Sequence, residues 1–219
     1  MLKALAYITM LIDHAGLCFF PDLLWLRAIG RISAPIFAYG IANGYWYTKQ
    51  KGTETRYLMR IGLFTLASQI PYAMMTQNPL HVNIGGTFFL ALLLLMAIDR
   101  APLVAKVSLW PLAAPPILAA AELLQVDGGA MAVLMVLQCY YFIVLPGYKW
   151  WGWAVCAPLH MIWAVLYNPP QPICMLAALA YPIIYLVRPY DQKLMLPKKV
   201  AYAIYPAHMA IFGVARAVL

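Results

Sequence analysis

An all-α, polytopic membrane protein, a single bundle of about nine transmembrane helices, is the fold class this sequence predicts. Three observations carry that prediction. Of 219 residues, 65% are hydrophobic and only 10% charged, against roughly 45–50% and ~25% in soluble domains. The apolar runs approach the ~20 residues that a helix needs to cross a ~30 Å hydrocarbon core. The basic residues fall in short breaks between those runs, with no basic face or tail, so the net charge of +8 reads as topology and not as nucleic-acid binding.

Hydropathy and chain breakers place spans at about 2–20, 31–47, 57–76, 83–98, 102–124, 128–146, 150–167, 171–188 and 200–218, forming one domain over 1–219. The opening run contains Asp13 and His14 and ends in Phe19-Phe20-Pro21. It lacks a small-residue cleavage site, and the expectation is an uncleaved first helix. Pro21-Asp22, residues 48–52, Gln77-Asn78-Pro79, Pro146-Gly147 and Asn168-Pro169-Pro170 supply turn chemistry between spans. Pro115-Pro116 marks a possible kink or split in the fifth span. The weakest break is 99–106.

Lys49, Lys51, Arg56, Arg60, Arg100, Lys106, Lys149, Arg188, Lys193, Lys198 and Lys199 lie in one alternate set of breaks, and only Arg27 and Arg31 in the other. The bias predicts that the first set is cytoplasmic, with the N-terminus inside and the C-terminus outside an inner (cytoplasmic) membrane. The four cysteines, Cys18, Cys139, Cys156 and Cys174, sit inside apolar runs without a C-x-x-C pair and read as packing residues. No metal site is expected.

The polar residues within spans fall at similar depth. Asp13 and His14 lie about 17 Å from the start of the first helix at ~1.5 Å per residue. Ser68 and Gln69 lie in the outer half of the third, and His208 lies near the middle of the last. His81, Asn83 and Arg31 approach from the outer side. Ionisable groups at membrane depth are costly and face a cavity or a partner. Asp13 has Arg31 as an alternative structural partner, and His160, between aromatics and after Pro158, reads as a packed histidine. A polar site in the outer half of the membrane is the inference.

At these residues the chain resembles a known family. Leu2 to Ala6, Met10, Ile12-Asp13-His14-Ala15-Gly16, Arg31-Ile32-Ser33-Ala34-Pro35-Ile36-Phe37, Ser68-Gln69-Ile70-Pro71-Tyr72 and Tyr202 to His208 are similar to TraX-type membrane proteins. The resemblance implies a membrane acetyltransferase taking acetyl groups from cytoplasmic acetyl-CoA. The acceptor it implies is an amine or hydroxyl outside, such as the N-terminus of pilin, a glycan or a lipid. His14 would be the base, with Asp13 orienting a histidine or pairing with Arg31. Arg31, Ser68, Gln69, His81, Asn83 and His208 would bind acceptor or the oxyanion. Lys49, Lys51, Arg56, Arg60, Lys198 and Lys199 would meet the phosphates of coenzyme A. Direct transfer and a covalent acetyl-histidine both fit these residues. A proton-coupled transporter fits less well, because Asp13 is the one carboxylate deep in a predicted span. A non-catalytic scaffold for pilus or envelope assembly leaves Asp13 and His14 without a role.

The topology is testable with single cysteines at positions 51, 78 and 193 and an impermeant thiol reagent on intact cells. Position 78 should label, and 51 and 193 should be protected. The reverse pattern overturns the charge-based orientation.

Overall fold

The computed structural model describes residues 1–99, 103–145, 151–166, 172–193 and 198–218, without the side chains of 103–110, 191–193 and 198–199. Arg100, Pro146-Gly147, Lys149, Asn168-Pro169-Pro170 and the side chains of Lys106, Lys193, Lys198 and Lys199 lie outside what it describes.

The chain is all-helical. In order come α1 (Leu2–Phe19), α2 (Leu24–Gly30), α3 (Ser33–Gln50), α4 (Glu54–Thr76), α5 (Ile84–Asp99), α6 (Leu103–Leu123), α7 (Gly129–Gln138), α8 (Gly152–Leu166), α9 (Ala180–Val187) and α10 (Lys198–Val218). Three stretches depart from α geometry: a π-helical Cys139–Val144, and 3₁₀ turns at Pro172–Leu179 and Arg188–Lys193. The sequence reading treats 24–30 as loop and 171–188 as one uniform helix, and the structure corrects both. Pro111, Pro115 and Pro116 lie inside α6 without dividing it.

Apolar packing sets the layout. α5 is buried on nearly every side, with Leu92, Leu94, Leu95 and Ile98 sealed from solvent, as expected of a helix that is hydrophobic all round. α4 instead presents Met59, Leu63, Leu66, Ile70 and Met74 outward. Their three- and four-residue spacing makes one apolar stripe, a surface that water would penalise and lipid would not. Among the described residues, two segments are long and apolar enough to cross a membrane, Leu2–Phe19 and Pro172–Tyr190. Ile84–Asp99, Pro111–Leu123, Gly129–Val144 and Gly152–Leu166 are apolar but shorter.

α1, α4 and α10 run parallel. Tyr7 donates to the Ala201 carbonyl, His14 meets His208 at 2.7 Å, and the Phe19 ring packs on Phe212 at 5.3 Å. These contacts keep one register from end to end. On the other side of α10, Phe64 packs on Tyr202 and Tyr205, and Arg216 donates to the Met75 carbonyl. The same register sets Ser68 level with His208. Gly213 allows this approach, because a Cβ there would lie 2.8 Å from Met74 Cβ and 3.0 Å from α4 backbone atoms.

Two polar knots brace the ends. Asp99 accepts from Lys49 at 2.6 Å, Tyr140 at 2.7 Å and Tyr45 at 3.3 Å, tying the far ends of α3 and α5 to the π segment. About 24 Å away along the 16-residue α5, the loops at 77–83 and 124–128 are laced together. The Val82 amide donates to Gln125, the Asp127 amide to Val82, and Thr87 Oγ1 to the Asp127 carbonyl. The sequence reading assigns these two loops to the same side.

Replacing Gly213 with alanine should push α10 off α4 and cost about 1–3 kcal/mol, the usual penalty for overpacking. Thermal unfolding in detergent measures it, and an unchanged melting temperature would mean that the close approach is not needed.

Candidate functional site

A cavity of about 1650 Å³ runs through the bundle, from Lys3, Lys51 and Arg188 at one end to Arg27, His81 and Asp127 at the other. Asp13, His14 and Tyr205 line it between these ends. Ligand pockets typically measure ~300–1,000 Å³, so there is room for more than one small ligand or for a long one.

His14 is buried, and its Nδ1 lies 2.7 Å from His208 Nε2. His208 Nδ1 lies 2.8 Å from the Ile204 carbonyl. A carbonyl only accepts, so His208 Nδ1 carries the proton, assigned by the hydrogen-bond network. With both rings neutral, His208 Nε2 accepts from His14 Nδ1–H. His14 Nε2 is then left with a bare lone pair. Pro206 sits between Ile204 and His208, and a proline within a helix alters the carbonyl bonding of the preceding turn.

Asp13 does not serve His14. Its carboxylate takes both oxygens to Arg31 Nη2, at 2.8 and 2.7 Å, and one to Arg27 Nη1 at 3.0 Å. Arg27 also reaches the Asp13 carbonyl oxygen at 3.2 Å. Adjacent residues on a helix diverge by ~100°, which sends His14 to α10 and Asp13 to α2. Gly30 makes the second contact possible, because a Cβ at that position would fall 2.1 Å from Asp13 Cβ. The alternative partner Arg31 is therefore the partner found, and Arg27 joins it.

The other sequence-predicted residues divide by what they already hold. Gln69 donates to the His81 carbonyl and accepts from the Asn83 amide and side chain, at 2.7, 3.1 and 2.8 Å. Asn83 further bonds Thr65 and Gly85. Both amides are engaged in shaping the loop that carries His81. His81 Nδ1 meets the Tyr72 hydroxyl at 2.7 Å, while the His81 residue lines the cavity. Ser68 is fully buried, and its hydroxyl has no partner among the described residues. Lys49 is held by Asp99. Lys51 and Arg60 line the cavity, and Arg56 is exposed and away from it. The side chains of Lys198 and Lys199 lie outside the described residues. His160 is packed as expected, facing the Cys174 carbonyl at 3.1 Å and Tyr181 at 3.5 Å.

Sequence reasoning leaves out Lys3, Arg188, Asp127 and Tyr205 as cavity residues. Asp127 sits at the head of a predicted span, where a carboxylate reads as a solvated end. Burial pushes its carboxyl above the usual carboxylate range, with His81 and Arg31 opposing.

The fold and the cavity define an all-helical protein of membrane character whose buried polar groups converge where its first and last helices meet. The chain belongs to the TraX family: the family model described as "TraX protein" matches residues 1–216. A stretch of 65 residues is 40% identical to a protein of Rickettsia prowazekii (strain Madrid E) described as uncharacterised. It covers 30% of this chain and 26% of that protein, so the chain matches about a quarter of the relative's length. No solved structure matches.

Asp13→Asn should destabilise the protein by about 3 kcal/mol, because it strands two partly buried guanidinium groups. Thermal unfolding would show the loss, and wild-type stability in this variant would mean that the arginines have other partners.

Proposed function

We propose that this protein is a membrane-embedded acetyltransferase. It moves an acetyl group from cytoplasmic acetyl-CoA to an amine or hydroxyl presented at the outer side, the N-terminus of a pilin-like peptide among the acceptors of that chemistry. The reading places nine helical segments across the inner membrane, with His14 at the reacting centre.

The observation that carries it is the histidine relay. Acyl transfer to an amine or hydroxyl needs a group that accepts a proton as the new bond forms. His14 Nε2 is such a group, with a free lone pair at a buried cavity wall and its tautomer held by His208 and the Ile204 carbonyl. His14 takes the acceptor's proton, the acceptor attacks the thioester carbonyl carbon, and the tetrahedral adduct collapses with loss of the coenzyme A thiolate. The proton on His14 then goes to that sulfur.

The shape of the cavity supports the same reading. Lys3, Lys51, Arg60 and Arg188 line one end, a setting for the phosphates of coenzyme A. Asp13, Arg27 and Arg31 brace the opposite part, where the acceptor would enter. Several charges at one end, a base inside and volume for two ligands suit a donor and an acceptor arriving from opposite sides.

Purified protein in lipid nanodiscs, given radiolabelled acetyl-CoA, should hydrolyse, retain or transfer the label. His14→Gln keeps the volume and a hydrogen bond but takes no proton, and should lose roughly 10²–10⁴-fold in rate. A carrier or a scaffold would leave acetyl-CoA intact, and wild-type turnover in His14→Gln would move the base elsewhere.

A further inference from the structure

Of the donors that sequence offers for an oxyanion, Gln69 and Asn83 are committed to each other and to backbone, and Ser68, whose buried hydroxyl is without a partner among the described residues, does not line the cavity. His208 gives its one N–H to Ile204. The tetrahedral adduct still needs a hydrogen-bond donor near His14. One buried donor on α10 is free.

Tyr205 is only 5% exposed, and its hydroxyl finds no hydrogen-bond partner among the described residues. A buried O–H without a partner costs about 1–3 kcal/mol. It persists where something else requires it, and unsatisfied groups of this kind are associated with functional roles. Tyr205 lines the cavity together with His14. The His208 ring packs against both, its centroid 5.0 Å from that of His14 and 5.7 Å from that of Tyr205. The Phe64 ring, 5.4 Å away, supports the tyrosine from α4.

The surroundings suit a developing negative charge. The backbone of Ile84, the first residue of the 16-residue α5, lies near enough to the Tyr205 oxygen to act on it, without a formed hydrogen bond. An N–H directed at a hydroxyl oxygen draws electron density from it and makes the O–H a stronger donor. The positive end of the α5 dipole acts in the same sense. Asp127 also acts on this oxygen, and burial favours the neutral form of that carboxyl, which limits the opposing charge.

We propose that Tyr205 is a catalytic residue: its hydroxyl donates to the oxyanion of the tetrahedral adduct formed when the acceptor attacks the acetyl thioester. This rests on the acetyl-transfer reading above. As the C–N or C–O bond forms, the carbonyl π pair moves onto oxygen, and Tyr205 Oη–H bonds to that oxygen without giving up its proton. When the adduct collapses, the pair returns to C=O, the C–S bond breaks, the thiolate leaves and it takes the proton from His14. The hydrogen bond strengthens as the carbonyl oxygen becomes an oxyanion, so the interaction acts mainly in the transition state.

The test is Tyr205→Phe, which removes one oxygen and keeps the ring. Loss of one oxyanion donor lowers kcat by roughly 10²–10³-fold, with the donor and acceptor KM nearly unchanged. The melting temperature should stay level or rise, because the deleted hydroxyl satisfied nothing in the fold. A fall in kcat at unchanged or raised stability supports the assignment. Wild-type kcat in Tyr205→Phe overturns it while leaving acetyl transfer standing, as does a kcat loss that merely follows a loss of folded protein. If the wild-type protein does not process acetyl-CoA, the acetyl-transfer reading itself falls and the role of Tyr205 goes with it.

Discussion

Inside an apolar bundle every polar group answers to its neighbours, because no water is at hand to satisfy it. That constraint explains most of the side-chain geometry. Thr9, Thr48, Thr65 and Thr76 turn their hydroxyls back onto carbonyls of their own helices. Asp99 gathers one lysine and two tyrosines, and Asp13 gathers two arginines. Gln69 and Asn83 saturate each other. Against such pairing, the bare nitrogen of His14 and the hydroxyls of Ser68 and Tyr205 stand out among the described residues, and of these His14 and Tyr205 border the cavity.

The charge arrangement follows from the same rule. A lone carboxylate at Asp13 would be expensive to bury, and a lone guanidinium at Arg31 hardly less so. Held together between α1 and the C-terminal end of α2, they stabilise that end of the bundle and fix where α1 lies. His14 is the next residue, so its position on the α10 side follows from that of Asp13. A structural ion pair and a histidine pair are thus set by one backbone segment, with separate side-chain partners.

Much of this was legible in the sequence, and the remainder was hidden for identifiable reasons. Long apolar runs gave the helices, because burial or lipid exposure leaves a composition that cannot be disguised. The departures at 139–144 and 172–179 were not legible, since π and 3₁₀ turns differ from α only in which carbonyl each amide meets. Asp13 and His14 stood out as ionisable groups at depth, yet their partners could not be chosen from spacing. His208 lies 194 residues from His14, and only packing brings the two rings together. Gln69 and Asn83 looked like ligand contacts because amides in apolar runs usually mark sites, and here they shape a loop. Tyr205 gave no signal, because a tyrosine in a membrane helix most often reads as an interface anchor. Its lack of a partner exists only in three dimensions.

The parallel seating of α1 on α10 carries a consequence for the making of the protein. One ring of the histidine pair is synthesised 194 residues before the other. At about 5–20 residues per second, roughly ten to forty seconds separate the two. During that interval the imidazole of His14 has no ring to fix its tautomer, and the cavity has no wall on the α10 side. A chain that has not yet docked α10 therefore lacks the paired rings on which the proposed chemistry rests.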